Sequence, residues 1–436
     1  MTSERKSRNA LSLRTYRAAS GMMGPLADLT LKHRLKHGKE DPDRVNERRG
    51  IATIARPDGP LVWIHGASVG ESLSILPLVA RLSVLRRDLQ FLVTSGTVTS
   101  ARLMATRLPD NATHQFSPLD HPAYVRRFLD HWQPDAAMFV ESELWPNLIQ
   151  MTAARDIPMA LVNGRISPKS YNSWKQRPDA IHALLSAFQV RMAQDTPNKE
   201  RLAELSDGDV AMFGNLKMAA PALPVTQTDL SALEEQVRTR PRWLAASTHP
   251  GEEEYVLDAH TRVSERFPDL LTIIAPRHPE RGEEIAGLIR ARGLRVARRA
   301  AGEDITADTQ VYLADTLGEL GLFYRLSDVA FVGGSIVETG GHNPLEPARL
   351  RSAILYGPYT FNFTETYRDM RASGGTALVR NERDLAAALV RLLTDDMTRD
   401  AMADRARNWA EDNAEEVLIN IVEALMPVLP APHEPG

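Results

Sequence analysis

Residues Leu61–Ser72 read LVWIHGASVGES: a short apolar run, Leu61–Ile64, stops at His65, and a helical pattern begins at Leu73. A buried strand feeding a tight loop that opens a helix is the unit of a parallel α/β sheet, and ligands of such sheets bind at the carboxyl edge of the strands. The loop holds two glycines, two serines and the carboxylate of Glu71. A carboxylate at a helix start is commonly a stabilising first-turn residue; the alternative is a general base at the mouth of a cleft.

The same alternation runs through the chain. Apolar runs at Phe91–Thr94, His114–Phe116, Ala136–Val140, Met159–Val162, Gln189–Ala193 and Val210–Phe213 are predicted strands, separated by helical patterns such as Leu73–Leu85, Thr99–Leu108, Pro122–Trp132 and Leu144–Arg155. Met218–Asp229, with Pro221 and Pro224, reads as a linker. The pattern restarts with strands at Trp243–Ala246, Leu271–Ile274, Leu294–Val296, Val311–Leu313, Val329–Val332 and Ala353–Tyr356, with helices Glu252–Phe267 and Arg281–Arg292 between them. Three closing helices follow, Leu385–Leu393, Arg399–Asn413 and Glu415–Leu425. Strand–helix alternation in two comparable halves predicts two doubly wound α/β domains, and a cleft between two carboxyl edges suits a two-substrate transferase.

Composition narrows the class. The chain has 436 residues, 43% apolar and 25% charged, which is a globular composition long enough for more than one core. Its net charge of −4 gives no global sign of a nucleic-acid partner. Residues 1–50 nevertheless carry twelve Lys or Arg against six Asp or Glu, leaving −10 on the rest. A basic arm on an acidic body points to an anionic surface, a membrane face foremost. No run approaches the roughly 18 apolar residues of a membrane span. Residues 10–35 fit either an amphipathic helix lying on a membrane or a plain helix packed on the body. With no cysteine, disulfides and thiolate metal sites are excluded.

Polar residues collect where predicted strands end. Glu141-Ser142-Glu143-Leu144-Trp145-Pro146-Asn147 follows Ala136–Val140; helix capping by Ser142 or Glu143 would explain one of its two carboxylates. Gly214-Asn215-Leu216-Lys217 follows Val210–Phe213 and presents either a turn with a surface lysine or a cation for an anionic ligand. In the second half come Ser247-Thr248-His249-Pro250-Gly251-Glu252, whose hydroxyls can cap the next helix, and Arg277-His278-Pro279-Glu280-Arg281, whose arginines can grip phosphate. Asp315-Thr316-Leu317-Gly318-Glu319-Leu320 closes another strand. The glycine-rich stretch Gly333–Ala348 contains Asn343 and Glu346; its glycines allow close backbone approach, the helix start after them suits phosphate, and Glu346 suits ribose hydroxyls.

Five of these motifs, His65–Glu71, Glu141–Asn147, Gly214–Lys217, Arg277–Arg281 and Gly341–Pro347, resemble in order and spacing the motif series of the 3-deoxy-D-manno-octulosonic acid (Kdo) transferases, over about residues 10–425. The resemblance implies a GT-B glycosyltransferase fold, two Rossmann-like domains facing a central cleft, and transfer of Kdo from CMP-Kdo to the 6′-hydroxyl of a lipid A precursor, lipid IVA, at the cytoplasmic face of the inner membrane. It implies Glu71 as general base, Glu141 and Lys217 as transition-state stabilisers, and CMP contacts from Arg277, His278, Gly318, Glu319, Leu320, Asn343, Pro344, Leu345 and Glu346. It divides the chain into a basic membrane-proximal segment 1–50, an acceptor domain 51–220, a CMP-Kdo-binding domain 221–410 and a closing helix and tail 411–436 that can cross back to the first domain. A sugar nucleoside monophosphate lacks the diphosphate that magnesium usually bridges. The Asp-x-Asp triplets Asp41-Pro42-Asp43 and Asp207-Gly208-Asp209 lie away from the expected cleft, so no metal and no cofactor are expected. Family members commonly begin with a markedly hydrophobic anchor; here charges interrupt that region. The competing readings are another GT-B sugar-nucleotide transferase or epimerase, and a non-catalytic sugar-nucleotide or lipid-binding protein. A dehydrogenase is disfavoured, because no Gly-x-Gly-x-x-Gly follows the first strand.

Overall fold

The computed structural model describes residues 2–206 and 208–432, with side chains from Ser12 onward. Two compact units emerge, one formed by residues up to Pro221 together with those from Ala414, the other by Ala222–Asn413.

The first unit holds a parallel sheet of seven strands: β1 (Leu61–His65), β2 (Gln90–Ser95), β3 (Ala112–Phe116), β4 (Ala136–Val140), β5 (Met159–Gly164), β6 (Val190–Ala193) and β7 (Ala211–Met212). Their order is β3-β2-β1-β4-β5-β6-β7, so the winding reverses between β1 and β4. The second unit holds β8 (Arg242–Thr248), β9 (Leu271–Pro276), β10 (Val296–Arg298), β11 (Val311–Leu313), β12 (Val329–Val332), β13 (Ala353–Tyr356) and β14 (Thr376–Leu378). Here the order is β10-β11-β9-β8-β12-β13-β14, with the reversal between β8 and β12.

The central strands of these sheets are largely apolar, as in Leu61–His65, Ala136–Val140 and Val329–Val332, because helices cover both faces. Alternate side chains of one strand feed separate cores. In β1, Val62 and Ile64 join Val93, Met138 and Val140 on one face. Leu61 and Trp63 join Leu92, Phe128 and Phe139 on the other. The second sheet repeats the device: Trp243 and Ala245 pack with Ile274 and Leu313, Leu244 and Ala246 with Ile273 and Tyr312.

Several boundaries differ from the sequence reading. The helix after β1 starts at Val69, not Leu73, because Ser68 caps it. The proline-bearing stretch read as a linker to Asp229 is already helical from Gln227, in a helix that runs to Val237. Arg399–Asn413 and Glu415–Leu425 are one helix, Asp396–Leu425, since no glycine or proline interrupts it. Its end belongs to the first unit, where Val417, Ile421 and Leu425 enter the core beside Leu216.

At the N-terminus the helices Thr2–Met22 and Gly24–Lys36 break at Met23. The first packs on the body: Leu13 lies against the core of its unit, Tyr16 donates to Asp120 at 3.0 Å, and the Gly21 carbonyl meets the His121 ring at 3.1 Å. Among the described residues no helix is long and apolar enough to cross a membrane.

Candidate active site

Both reversals of winding leave a crevice at the carboxyl ends of the strands, the usual ligand position of such sheets. In the first unit, the loop after β1 carries Glu71 and the loop after β4 carries Glu141 and Glu143.

Glu71 sits in the first turn of the helix Val69–Leu85, in a reciprocal cap: Ser68 Oγ accepts from the Glu71 N–H, while Glu71 Oε2 accepts from the N–H groups of Ser68 at 3.3 Å and Ala67 at 2.6 Å. The structural role considered from sequence is therefore real. It also aims the carboxylate, because both backbone contacts fall on Oε2 and Oε1 accepts from no group among the described residues. Gly66 makes the room, since a Cβ there would stand 2.7 Å from Ile75 Cδ1 and 3.2 Å from Glu71 Cβ. Glu71 is only 8% exposed. Burial, then the charges of Glu143 and Glu141, push its carboxyl above the ordinary range, outweighing the Ser68 hydrogen bonds.

The other two carboxylates each have a basic partner. Lys217 Nζ lies 2.6 Å from Glu141 Oε1, approaching off the hydrogen-bonding direction, so the contact is an ion pair. Glu141 has φ +59, a left-handed conformation unusual for a non-glycine residue, pinned by its N–H to Val162 O and by the Arg165 N–H to its own carbonyl. Lys217 is aimed by its loop: Leu216 is sunk in the core, its N–H donating to Asn163 Oδ1, and Asn215 Oδ1 accepts from the Lys217 N–H. Glu143 Oε2 receives the Trp145 indole N–H and lies 3.4 Å from His65 Nε2. Burial opposes its ionisation, yet His65 and Trp145 bring it below the ordinary range. His65 Nδ1 in turn meets Thr94 Oγ1 at 2.9 Å, across the β1–β2 pair.

Capping does not explain either carboxylate of this loop. The helix Pro146–Ala153 begins at Trp145 without a side-chain cap of its own, and Asp120 accepts from the N–H groups of Asn147 and Leu148 instead. Ser142 donates to the Arg165 carbonyl. Asp120 is also the partner of Tyr16, and Asn147 Nδ2 donates to Ser20, so the N-terminal helix is tied to the end of the loop after β4.

In the second unit a small open cavity of about 90 Å³ is lined by Ser247, Pro276, Arg277, Gly318, Leu320 and Phe323 among others. Three of the nucleotide residues expected from sequence thus share one cavity, with His278 exposed beside Arg277. Glu319 is different: its carboxylate is held by Arg299 at 2.6 Å and by the Thr316 hydroxyl, which leaves backbone as its means of contact. Asn343 Oδ1 accepts from the Leu345 N–H, and its amide approaches Glu346 at 3.5 Å. Burial raises the Glu346 carboxyl, against the pull of Asn343 and of the Arg277 and Arg349 charges. The helix after the glycine loop, expected to favour phosphate, is only Leu345–Arg349. One turn and a half offers an anion little dipole.

The helix after β8 is not capped by Ser247 or Thr248. Gly251 is its N-cap, and Thr248 Oγ1 donates to Glu253 instead. Asp41 forms a local turn by accepting from the Asp43 N–H, and Asp207 lies outside the described residues. Among the described residues no three His, Cys, Asp or Glu side chains are grouped to hold a metal ion.

Residues 43–220 match the family model described as 3-Deoxy-D-manno-octulosonic-acid transferase (kdotransferase). Over 388 residues the chain is 35% identical to the 3-deoxy-D-manno-octulosonic acid transferase of Rickettsia bellii, covering 89% of this chain and 92% of that protein. The chain belongs to the Kdo transferases. The Haemophilus influenzae Kdo transferase is 34% identical over 397 residues, 88% of this chain and 91% of that one. More distant structures share the fold: a glycosyltransferase from Rickettsia africae (TM-score 0.57, 13% identity, 85% of this chain and 99% of that one) and the UDP-GlcNAc 2-epimerase of Neisseria meningitidis (TM-score 0.56, 14% identity, 84% and 100%). The fold of this Kdo transferase is accordingly GT-B, as the motif series implies.

Sequence reading assigned no role to Asp120, Glu252, His249 or His342 in this Kdo transferase. Glu252 is fully buried and accepts from the N–H groups of His249, Gly334, Ser335 and Ile336, stitching the loop after β12 to the loop after β8. The available signal was positional: His249 and His342 fall in loops following β8 and β12, the strands that flank the reversal.

Proposed function

We propose that this Kdo transferase takes Kdo from CMP-Kdo and places it on the 6′-hydroxyl of a lipid A precursor, lipid IVA, with inversion at the anomeric carbon. Glu71 is the general base. It accepts the hydroxyl proton as the oxygen attacks, the C–O bond to the phosphate breaks, and the electron pair leaves with CMP. The observation that carries this reading is the contrast among three neighbouring carboxylates. Glu141 and Glu143 have Lys217 and His65 beside them, whereas Glu71 has backbone N–H groups on one oxygen only and a raised proton affinity. A base of raised pKa holds a transferred proton better. Glu141 and Lys217 stabilise the charge that develops in the transition state.

The second unit binds the donor. Arg277 and His278 meet the phosphate, Gly318, Glu319 and Leu320 line the nucleoside by backbone and apolar contact, and Asn343, Pro344, Leu345 and Glu346 form the wall toward the ribose. A phosphate monoester leaving group needs cationic side chains and no diphosphate-bridging magnesium, so turnover survives EDTA.

The acceptor is anionic and acylated, and it lies in the cytoplasmic face of the inner membrane. The first helical pair offers it a matching face: Met22, Met23, Leu26 and Leu29 are exposed near the break, with Arg14, Arg17, Lys32 and Lys36 exposed around them. Arg34 is instead bound to Glu40 at 2.6 Å, and the side chains of Arg5, Lys6 and Arg8 lie outside the described residues. Vesicles containing anionic lipid should retain the full chain at low salt and release it at high salt; no retention at low salt would remove the membrane from the account.

The deciding assay couples a CMP-Kdo generating system to lipid IVA and resolves products by mass. Addition of one or more Kdo masses is expected. Transfer from a UDP-sugar with none from CMP-Kdo would overturn the reading.

A further inference from the structure

His249 and His342 leave the ends of the two strands that flank the reversal in the second sheet, and their Nε2 atoms face each other at 2.8 Å. Their rings are nearly coplanar, 10° apart, and the His278 ring stands 5.8 Å from that of His249. Two nitrogens so close share a single N–H: one donates, the other accepts, and a second proton between them would collide with the first. The pair therefore carries no charge or one positive charge. Space for it is kept open by Gly334, at φ +66; a Cβ there would lie 3.0 Å from His342 Cδ2 and 3.4 Å from His249 Cδ2.

The surroundings of the pair are basic. Arg277, His278 and Arg281 face it from the loop after β9. The acids on the helix after β8 are committed elsewhere. Glu252 is saturated by four backbone N–H groups, and Glu253 by Arg281 at 2.9 Å and Thr248 at 2.9 Å. Glu253 alone among the acids favours a proton on His249, and it is outweighed by burial with His278, Arg277 and Arg281, so the cluster suits an anion.

We propose that the His249–His342 pair is part of the phosphate site and takes up a proton from solvent when the phosphate monoester of the nucleotide binds, so that anion and proton enter together. This rests on the reading that the second unit binds a cytidine nucleotide. In the free protein burial, joined by the neighbouring positive groups, holds His342 down to about 4 and His249 below its ordinary value. An incoming dianion reverses that balance and favours the imidazolium form. The consequence for transfer is direct. When the C–O bond to Kdo breaks and its electron pair moves to phosphate, the monoester gains a second negative charge, and a charged histidine pair lies against it.

Calorimetry of CMP binding to the full chain at pH 7.5, in buffers of different ionisation enthalpy, reads the protons taken up. The expected result is an observed enthalpy that depends linearly on buffer enthalpy with a slope approaching one proton per CMP, and no slope for cytidine, which lacks the phosphate. His342→Gln and His249→Gln should each abolish the slope and weaken CMP by about tenfold or more, the scale of a lost charged hydrogen bond. CMP binding with zero slope in the wild-type chain overturns the histidine pair and leaves the donor reading standing. No CMP binding at all, with a UDP-sugar bound instead, overturns the donor reading and this inference with it.

Discussion

At the reversal of the first sheet, the loops after β1 and β4 gather Glu71, Glu141 and Glu143; at the reversal of the second, the loops after β8 and β12 gather His249 and His342, with Arg277 and His278 next to them after β9. The backbone solution is shared, seven parallel strands with one change of winding direction. The chemistry is opposite. Burial and the charges of Glu143 and Glu141 raise the proton affinity of Glu71, the one of the three without a basic side-chain partner. Burial first, and then the neighbouring His249, Arg277 and His278, disfavours a proton on His342. The same fold position thus carries an acidic cluster in one unit and a basic one in the other, which the proposed function assigns to base catalysis and to anion capture.

That contrast can be broken from either side. Lys217→Ala leaves Glu141 buried beside Glu71 without its cation; turnover should fall by about 100-fold, with CMP affinity unchanged by calorimetry. A parallel loss of CMP affinity would merge the two sites. Arg277→Ala should do the converse, weakening CMP by about tenfold or more while leaving the acid limb of the pH–rate profile in place.

The pH dependence sharpens the account of Glu71. As a base it must be ionised, so the acid limb of kcat/KM lies above the ordinary carboxylate range. Glu143→Gln removes a neighbouring negative charge and eases that ionisation, so the limb should move to lower pH; a limb that moves up would mean that Glu143 acts otherwise. For stability the sign is reversed from that of a salt-bridged acid. Between the ordinary carboxylate pKa and Glu71's raised one, the folded chain holds more protons than the unfolded chain, so Glu71's contribution is full at low pH and is lost as pH rises. The smallest effect is expected at the N-terminal tie. Tyr16→Phe deletes one part-exposed hydrogen bond to Asp120 and should cost no more than about 1 kcal/mol by denaturant unfolding.

Strands were legible where both faces are buried. Ala136–Val140, Val311–Leu313, Val329–Val332 and Ala353–Tyr356 coincide with the runs read from sequence, because an all-apolar run is what a parallel sheet covered on two sides requires. Helices without a strong apolar stripe or start signal were not. Leu320–Leu326 is nearly all buried, and Thr364–Ala372 is largely polar and borders β14, which was also missed. Of the candidate site, residue types and loop positions could be read, since each follows a strand. Pairings could not. That Lys217 meets Glu141, or that His249 meets His342, depends on strand order, and nothing local in the sequence encodes the reversals between β1 and β4 or between β8 and β12.

The central claim, a proton acceptor in one unit and nucleotide capture in the other, is tested most directly by Glu71→Gln measured twice on the same preparation. Turnover with CMP-Kdo and lipid IVA should fall by about 100-fold or more, while calorimetric CMP affinity stays within twofold of the wild type, a margin of about 0.4 kcal/mol. Unchanged turnover, or CMP affinity lost along with it, would contradict the account.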